Sequence, residues 1–172
     1  MTARVRWHAR WVVPVATPPI ADGTVITEDS RIVWVGARKF APPAGRDEEL
    51  GDAILTPGLV NAHTHLDLTV LRGFLSDLPF FQWVRELTRA IATLDDADLA
   101  ASAALGVAEG LRGGITTFAD TAPNDAAFNA MRALGVRGIC YREIFGPDPA
   151  DAAKHLATFI DQVRAMRERS TE

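Results

Sequence analysis

The chain has 172 residues, of which 48% are hydrophobic and 23% charged, and its formal net charge is −4. Such an apolar fraction is typical of a folded protein, and the small acidic excess gives no support to a nucleic-acid-binding or polybasic membrane surface. The single cysteine, Cys140, excludes a disulfide framework and a cysteine-based zinc site within one chain. Because no transmembrane run or signal peptide is recognisable, we expect a cytoplasmic protein without membrane or nucleic-acid partners.

The first part of the chain predicts short strands joined by turns. Strands are expected at 4–13, 24–27 and 31–35, the second of them after a turn at Asp22-Gly23. The proline-rich, charged stretch 40–51 predicts a surface loop. Together these features predict a small antiparallel sheet, and His8 within it has no feature that marks it as functional.

From about residue 54 the pattern changes to alternating strands and helices. The apolar run 54–60 predicts a buried strand, and further strands are expected at 115–120 and 136–145. Helices are predicted at 80–94, after the caps Asp95 and Asp96, after Asn124, and in the last segment, which frays into a polar end. This alternation predicts a parallel sheet with right-handed crossovers.

Two histidines carry the most specific chemical signal. His63 and His65 lie two residues apart at the end of the first apolar strand, so both imidazoles should project to the same face. Neutral imidazoles at this spacing can converge on one divalent cation such as zinc or iron. Two nearby histidines can also be ordinary surface or capping residues, but the carboxyl end of a parallel strand is where α/β barrels carry their active sites.

The segment LTPGLVNAHTHLD at 55–67 resembles the first-strand signature of the amidohydrolase superfamily, the metal-dependent (β/α)8 barrel hydrolases. The segments IADGTVI, RIVWVG, LRG and GGITTFAD and a tryptophan at position 83 are similar to the cytosine-deaminase and chlorohydrolase branch. The stretch GVRGICYREIFGPDP is similar to the aminodeoxyfutalosine deaminases. The resemblance implies a β-sandwich segment at 1–55 and the first part of a truncated TIM barrel, about three strands long, at 56–172.

The resemblance also implies a function and a cofactor. The parent enzyme would hydrolyse a non-peptide C–N bond with a metal-activated water, deaminating a purine-like or other N-heterocycle. His63 and His65 would bind the divalent metal, with zinc as the first expectation and iron as the alternative. A chlorohydrolase or cyclic-amide hydrolase is the alternative within enzymes, and a non-catalytic remnant or interaction subunit is the alternative outside them.

The resemblance places the remaining ligands and catalytic residues on later barrel strands. A complete barrel needs about 250 residues, so we expect an N-terminal fragment that is inactive alone and whose catalytic residues are unknown. Truncation, a split gene and an incomplete gene prediction all remain open. A complementary half or a homo-oligomer would be the corresponding protein partner.

Further polar and aromatic residues have two interpretations each. Asp67 could contact the substrate, orient a metal ligand or cap the following turn. Trp83 could stack on a heterocycle or pack in the core, and Glu143 could contact the substrate or form a structural ion pair. Asp120 ends the second strand at the presumed active-site face, where it could be functional or serve as a turn or N-cap residue. The remaining candidates are expected to be structural: Arg142 as the opposite-facing neighbour of Glu143, Cys140 as a buried small side chain and His155 as a surface residue.

Overall fold

A computed structural model describes residues 4–146 and 148–170. The chain divides into two compact units, with the boundary between Pro57 and Gly58. This boundary lies two residues beyond the one suggested by the sequence. Within the described residues, no helix combines the length and apolar character needed to cross a membrane.

The first unit contains one five-stranded sheet. Its strands are β1 (Arg4–Val12), β2 (Ile20–Glu28), β3 (Arg31–Ala37), β4 (Arg46–Glu49) and β5 (Ile54–Leu55). Strands β1, β2 and β3 are antiparallel neighbours, whereas β4 and β5 both pair parallel with β1. The sheet is therefore mixed, and the prediction of an antiparallel sheet was correct only for its first three strands. The β-sandwich assignment stays a prediction, because residues 4–57 contribute this one sheet.

Two local predictions in this unit were wrong. The expected turn at Asp22-Gly23 lies inside β2, where Asp22 has a φ of 46° and a Cβ on Gly23 would come within 2.5 Å of Val12 Cγ2. Glycine is present here because two strands pack closely, not because the chain reverses. The expected loop 40–51 contains β4, whose charged sequence has no apolar pattern typical of a strand. Asp47 of β4 accepts a hydrogen bond from Arg6 of β1 at 2.7 Å.

The second unit contains a three-stranded parallel sheet and four α-helices. The strands β6 (Leu59–Thr64), β7 (Ile115–Ala122) and β8 (Arg137–Arg142) lie in that order. The helices are α1 (Phe80–Ile91), α2 (Asp96–Arg112), α3 (Ala126–Ala133) and α4 (Ala152–Arg169), with 3-10 turns at Leu66–Leu71 and Pro149–Asp151. The predicted parallel sheet is therefore confirmed.

The core of the second unit lies between β7, α2 and α3. Phe118 of β7 packs with Val107 of α2, Met131 of α3 and Leu66, and all four are buried. Helix α2 begins as predicted, because Asp95 and Asp98 form a reciprocal capping box. This packing fixes the segment that follows β6 against α2 and α3.

Three boundaries differ from the sequence prediction. The apolar run 54–60 is divided between β5 and β6, and Leu59 and Val60 are 57% and 65% exposed instead of buried. Strand β8 ends at Arg142, three residues early. Helix α4 continues to Arg169, because Met166 is buried and Arg169 forms an ion pair with Asp125.

Candidate metal centre

The two histidines lie at the carboxyl end of β6. His63 is within the strand, and His65 is the first residue after it, directly before the Leu66–Leu71 turn. Their ring centroids are 5.2 Å apart with an interplanar angle of 82°. His63 is exposed and His65 is half-buried. The predicted side-by-side placement is confirmed, and the pair remains open to solvent at the end of a parallel strand where barrel active sites form.

The spacing of the rings fits a shared metal ion. Tetrahedral zinc with Zn–N bonds of about 2.0–2.1 Å would place two imidazole centroids about 5.3 Å apart, close to the 5.2 Å found here. Across residues 4–146 and 148–170, no group of three or more His, Cys, Asp and Glu side chains is arranged to hold a metal. The described residues therefore supply two imidazole ligands and leave the other coordination positions to other groups.

Asp120 on β7 lies beside the histidine pair. It pairs with Thr64 across the sheet, is 1% exposed, and its Oδ1 accepts the Leu66 N–H at 2.7 Å. Burial raises the pKa of Asp120 to about 6; the Leu66 N–H and His65 lower this pKa, whereas Asp67 and Glu143 raise it. These charges therefore act on one another at the carboxyl end of the parallel sheet.

Asp67 and Asn124 form a second buried contact at this end. Asp67 is 4% exposed, and its Oδ2 accepts a hydrogen bond from Asn124 Nδ2 at 2.6 Å. Among the described residues its Oδ1 is buried without a hydrogen-bond partner. Asn124 Oδ1 also accepts the Ala126 N–H at the start of α3. The arrangement leaves one acceptor of Asp67 available to a donor or cation.

Arg142 and Glu143 differ in their surroundings. Arg142 donates to Asp125 at 2.7 Å and to Gln162 at 3.2 Å, so it forms the structural ion pair. Glu143 follows β8, is half-buried, and donates its backbone N–H to the Ala122 carbonyl at 3.1 Å. Its charge raises the pKa of Asp120, which puts it within electrostatic range of that carboxylate.

Trp83 is not brought to the histidine pair by any described contact. It lies on α1, is half-buried, and stacks on Phe80 of the same helix with ring centroids 6.4 Å apart. Its substrate role stays a prediction, as do the substrate roles of Asp67 and Glu143.

Several residues differ in burial or position from the sequence prediction. Asp120 was expected as a turn or N-cap residue but lies inside β7. The apolar residues around it in the sequence were the feature that could have indicated its burial. His8 is 4% exposed and bonded to Thr24 at 2.7 Å, and the half-buried ring of His155 packs against Gly146. Cys140 is half-buried and not fully buried as expected, and burial raises its thiol pKa to about 11.

Comparison with known proteins shows the family of the chain. The amidohydrolase family profile matches residues 54–168, so the chain belongs to the amidohydrolase family. It is similar to a 5-methylthioadenosine/S-adenosylhomocysteine deaminase of Symbiobacterium thermophilum, with 38% identity over 140 residues, covering 78% of this chain and 32% of the relative. The chain thus spans about a third of the length of that relative.

Two solved structures share the fold. Aminofutalosine deaminase of Helicobacter pylori, in complex with methylthio-coformycin, has a TM-score of 0.83 at 16% identity, covering 97% of this chain and 41% of that one. Atrazine chlorohydrolase of Arthrobacter aurescens, complexed with zinc, has a TM-score of 0.70 at 24% identity, covering 92% of this chain and 43% of that one. The chain therefore has the α/β fold of part of these proteins.

Proposed function

We propose that this chain supplies the two-histidine part of the metal centre of a hydrolase that deaminates a purine-like N-heterocycle. The observation that carries the proposal is the 5.2 Å spacing of the His63 and His65 rings at the open end of β6. The deaminase relatives support the reaction class, and a neighbour complexed with zinc supports zinc as the metal. The same proposal takes residues 1–55 as a β-sandwich segment and residues 56–172 as the first part of the barrel.

Each residue of the proposed site has a chemical task. When bound, the metal supplies an activated water for hydrolysis of the C–N bond. His63 and His65 hold it as neutral imidazoles. The Trp83 indole offers a face for stacking on a heterocycle. The carboxylates of Glu143 and Asp67 would accept hydrogen bonds from substrate N–H groups.

Zinc titration of the full chain tests the metal site. We expect one zinc ion to bind, measured by competition with a chromogenic chelator, and we expect His63→Phe and His65→Phe to abolish binding. Phenylalanine keeps the ring contact of the pair but removes the ligating nitrogens. His155→Gln is the matched control, because it removes a half-buried histidine far along the chain and should leave binding unchanged. Zinc binding that survives both phenylalanine substitutions would refute the site.

A chimera tests the reaction. This chain would replace the matching segment of the Symbiobacterium deaminase, and ammonia release from 5-methylthioadenosine would be measured with the unaltered deaminase as reference. We expect activity in the chimera and its loss on His63→Gln. A folded, zinc-loaded chimera that releases no ammonia would contradict the proposed function.

An interaction subunit is the second candidate, and exposed apolar strands favour it. Leu59 and Val60 on β6 and Ile139 and Tyr141 on β8 are each more than half exposed. Both strands are edges of the sheet formed by the described residues, and open edges pair readily with further strands. The expected partner is a complementary polypeptide that continues the barrel. A monomeric, cooperatively melting chain in size-exclusion chromatography and calorimetry would count against this candidate.

A further inference from the structure

Three hydrogen bonds, each to a buried side chain, hold the segment that follows the histidine pair. Asp120 accepts the Leu66 N–H at 2.7 Å, Asp67 accepts from Asn124 at 2.6 Å, and Ser102 Oγ accepts the Val70 N–H at 2.8 Å. The first of these is next to a proposed metal ligand, whereas the third is four residues further on. The three contacts therefore differ in how directly they can affect the histidines.

The Asp120 contact constrains the backbone of His65. The Leu66 N–H belongs to the peptide bond that joins His65 to Leu66, so fixing its direction fixes the ψ angle of His65. That angle is 82°, with a φ of −125°, where the chain leaves the strand and enters the turn. The backbone conformation at this residue sets the direction of its Cα–Cβ bond, from which the side-chain rotamer places the imidazole ring.

Asp120 is itself rigidly held. It is 1% exposed in the central strand β7, paired with Thr64 on one side and Cys140 on the other. A buried carboxylate that accepts a single backbone N–H is a costly hydrogen-bond acceptor for a turn, because burying a charge carries a larger free-energy penalty than burying a neutral acceptor. This placement indicates that the carboxylate does more than terminate a turn.

We propose that Asp120 is a positioning residue for the metal centre, holding the His65 ring at its distance from His63 through the Leu66 N–H. The proposal rests on the proposed function, because it assigns Asp120 a task at that same site. Without the acceptor, the peptide plane would rotate to find another partner, and the imidazole would leave its 5.2 Å spacing. Loss of such an outer partner costs about 10–100-fold in metal affinity.

Zinc affinity and stability of the full chain are measured together for three variants. Asp120→Ala removes the acceptor and should weaken zinc binding about 10–100-fold. Asp120→Asn retains an acceptor oxygen for the Leu66 N–H and should bind zinc nearly as the unaltered chain does. Ser102→Ala removes the Val70 N–H bond and a 3.5 Å bond to the Leu66 carbonyl but leaves the Leu66 N–H bonded to Asp120, so it should lower the urea midpoint but leave zinc affinity unchanged. The visible spectrum of the Co2+-loaded chain should change only in Asp120→Ala.

The outcomes separate this proposal from the metal site itself. If the unaltered chain binds zinc through both histidines but Asp120→Ala binds equally tightly, the positioning role is refuted and the metal site stands. If Asp120→Asn is as weak as Asp120→Ala, the carboxylate acts by charge or by direct ligation, and the role through the Leu66 N–H is refuted. If the unaltered chain binds no zinc, both proposals fail. Asp120→Leu, which keeps the side-chain volume, replaces Asp120→Ala if the alanine variant loses its helical signal.

Discussion

Helix α2 packs against the segment after the histidines at a glycine, and filling that position should disturb the site. A Cβ on Gly106 would lie 2.4 Å from Thr69 Oγ1 and 3.0 Å from Leu66 Cδ2. Thr69 Oγ1 cannot easily move away, because it donates to the Leu66 carbonyl at 2.8 Å. We therefore expect Gly106→Ala to push the Leu66–Leu71 turn away from α2 and to weaken zinc binding at His63 and His65.

Two opposing terms set the change in stability. Forced packing costs about 1–3 kcal/mol, whereas alanine is favoured over glycine in a helix interior by about 0.8–1.0 kcal/mol. The net free energy of unfolding should therefore fall by about 0–2 kcal/mol. Ala101→Gly, at an exposed position of the same helix, calibrates the propensity term within this chain.

Urea unfolding followed by circular dichroism at the helical wavelength measures this change. All four α-helices found in residues 4–146 and 148–170 belong to the second unit, so the signal reports that unit. Thr69→Ala removes the colliding oxygen, and the cost of Gly106→Ala should be smaller in that background. Suppose that Gly106→Ala raises the free energy of unfolding by as much as Ala101→Gly lowers it, and that zinc affinity is unaltered. This result would refute the close packing of α2 on the turn.

Two further predictions concern the two units separately. Arg6, and then His8, hold the pKa of Asp47 at about 2 against an ordinary 3.8. Because this folded-state pKa is depressed, the stabilisation that Asp47 gives the first sheet is present above about pH 4 and is lost as the pH falls towards 2. Tryptophan fluorescence should show this acid transition, and Asp47→Asn should remove it. In the second unit, Phe118→Ala should lower the free energy of unfolding by about 3–5 kcal/mol, because Phe118 is 1% exposed. A loss in urea unfolding below about 1 kcal/mol would contradict the central place of Phe118 in this core.

The periodic elements could be predicted because their cause is local. The alternation of apolar strands with amphipathic helices requires a parallel sheet, and the Asp95 capping box was visible as a polar residue before an apolar helix. The side-by-side placement of His63 and His65 follows from the two-residue period of a strand. Apart from the final position of the His65 ring, which we propose Asp120 holds, these features depend on a few neighbouring residues.

The remaining features depend on contacts between distant residues. Strand β4 has a charged sequence and pairs with β1 about forty residues away, so no local apolar pattern marks it. The burial of Asp120 depends on Leu66, 54 residues earlier. His8 is buried through Thr24 and Asp47, which are also far apart in sequence. Polar residues of this kind cannot be distinguished from surface residues until their partners are known.

X-ray absorption spectroscopy of the zinc-loaded full chain identifies the atoms bound to the metal. We expect two imidazole nitrogens at about 2.0–2.1 Å and oxygen ligands in the remaining positions. A spectrum with no imidazole, or with a sulfur ligand from Cys140, would contradict a metal centre built on His63 and His65.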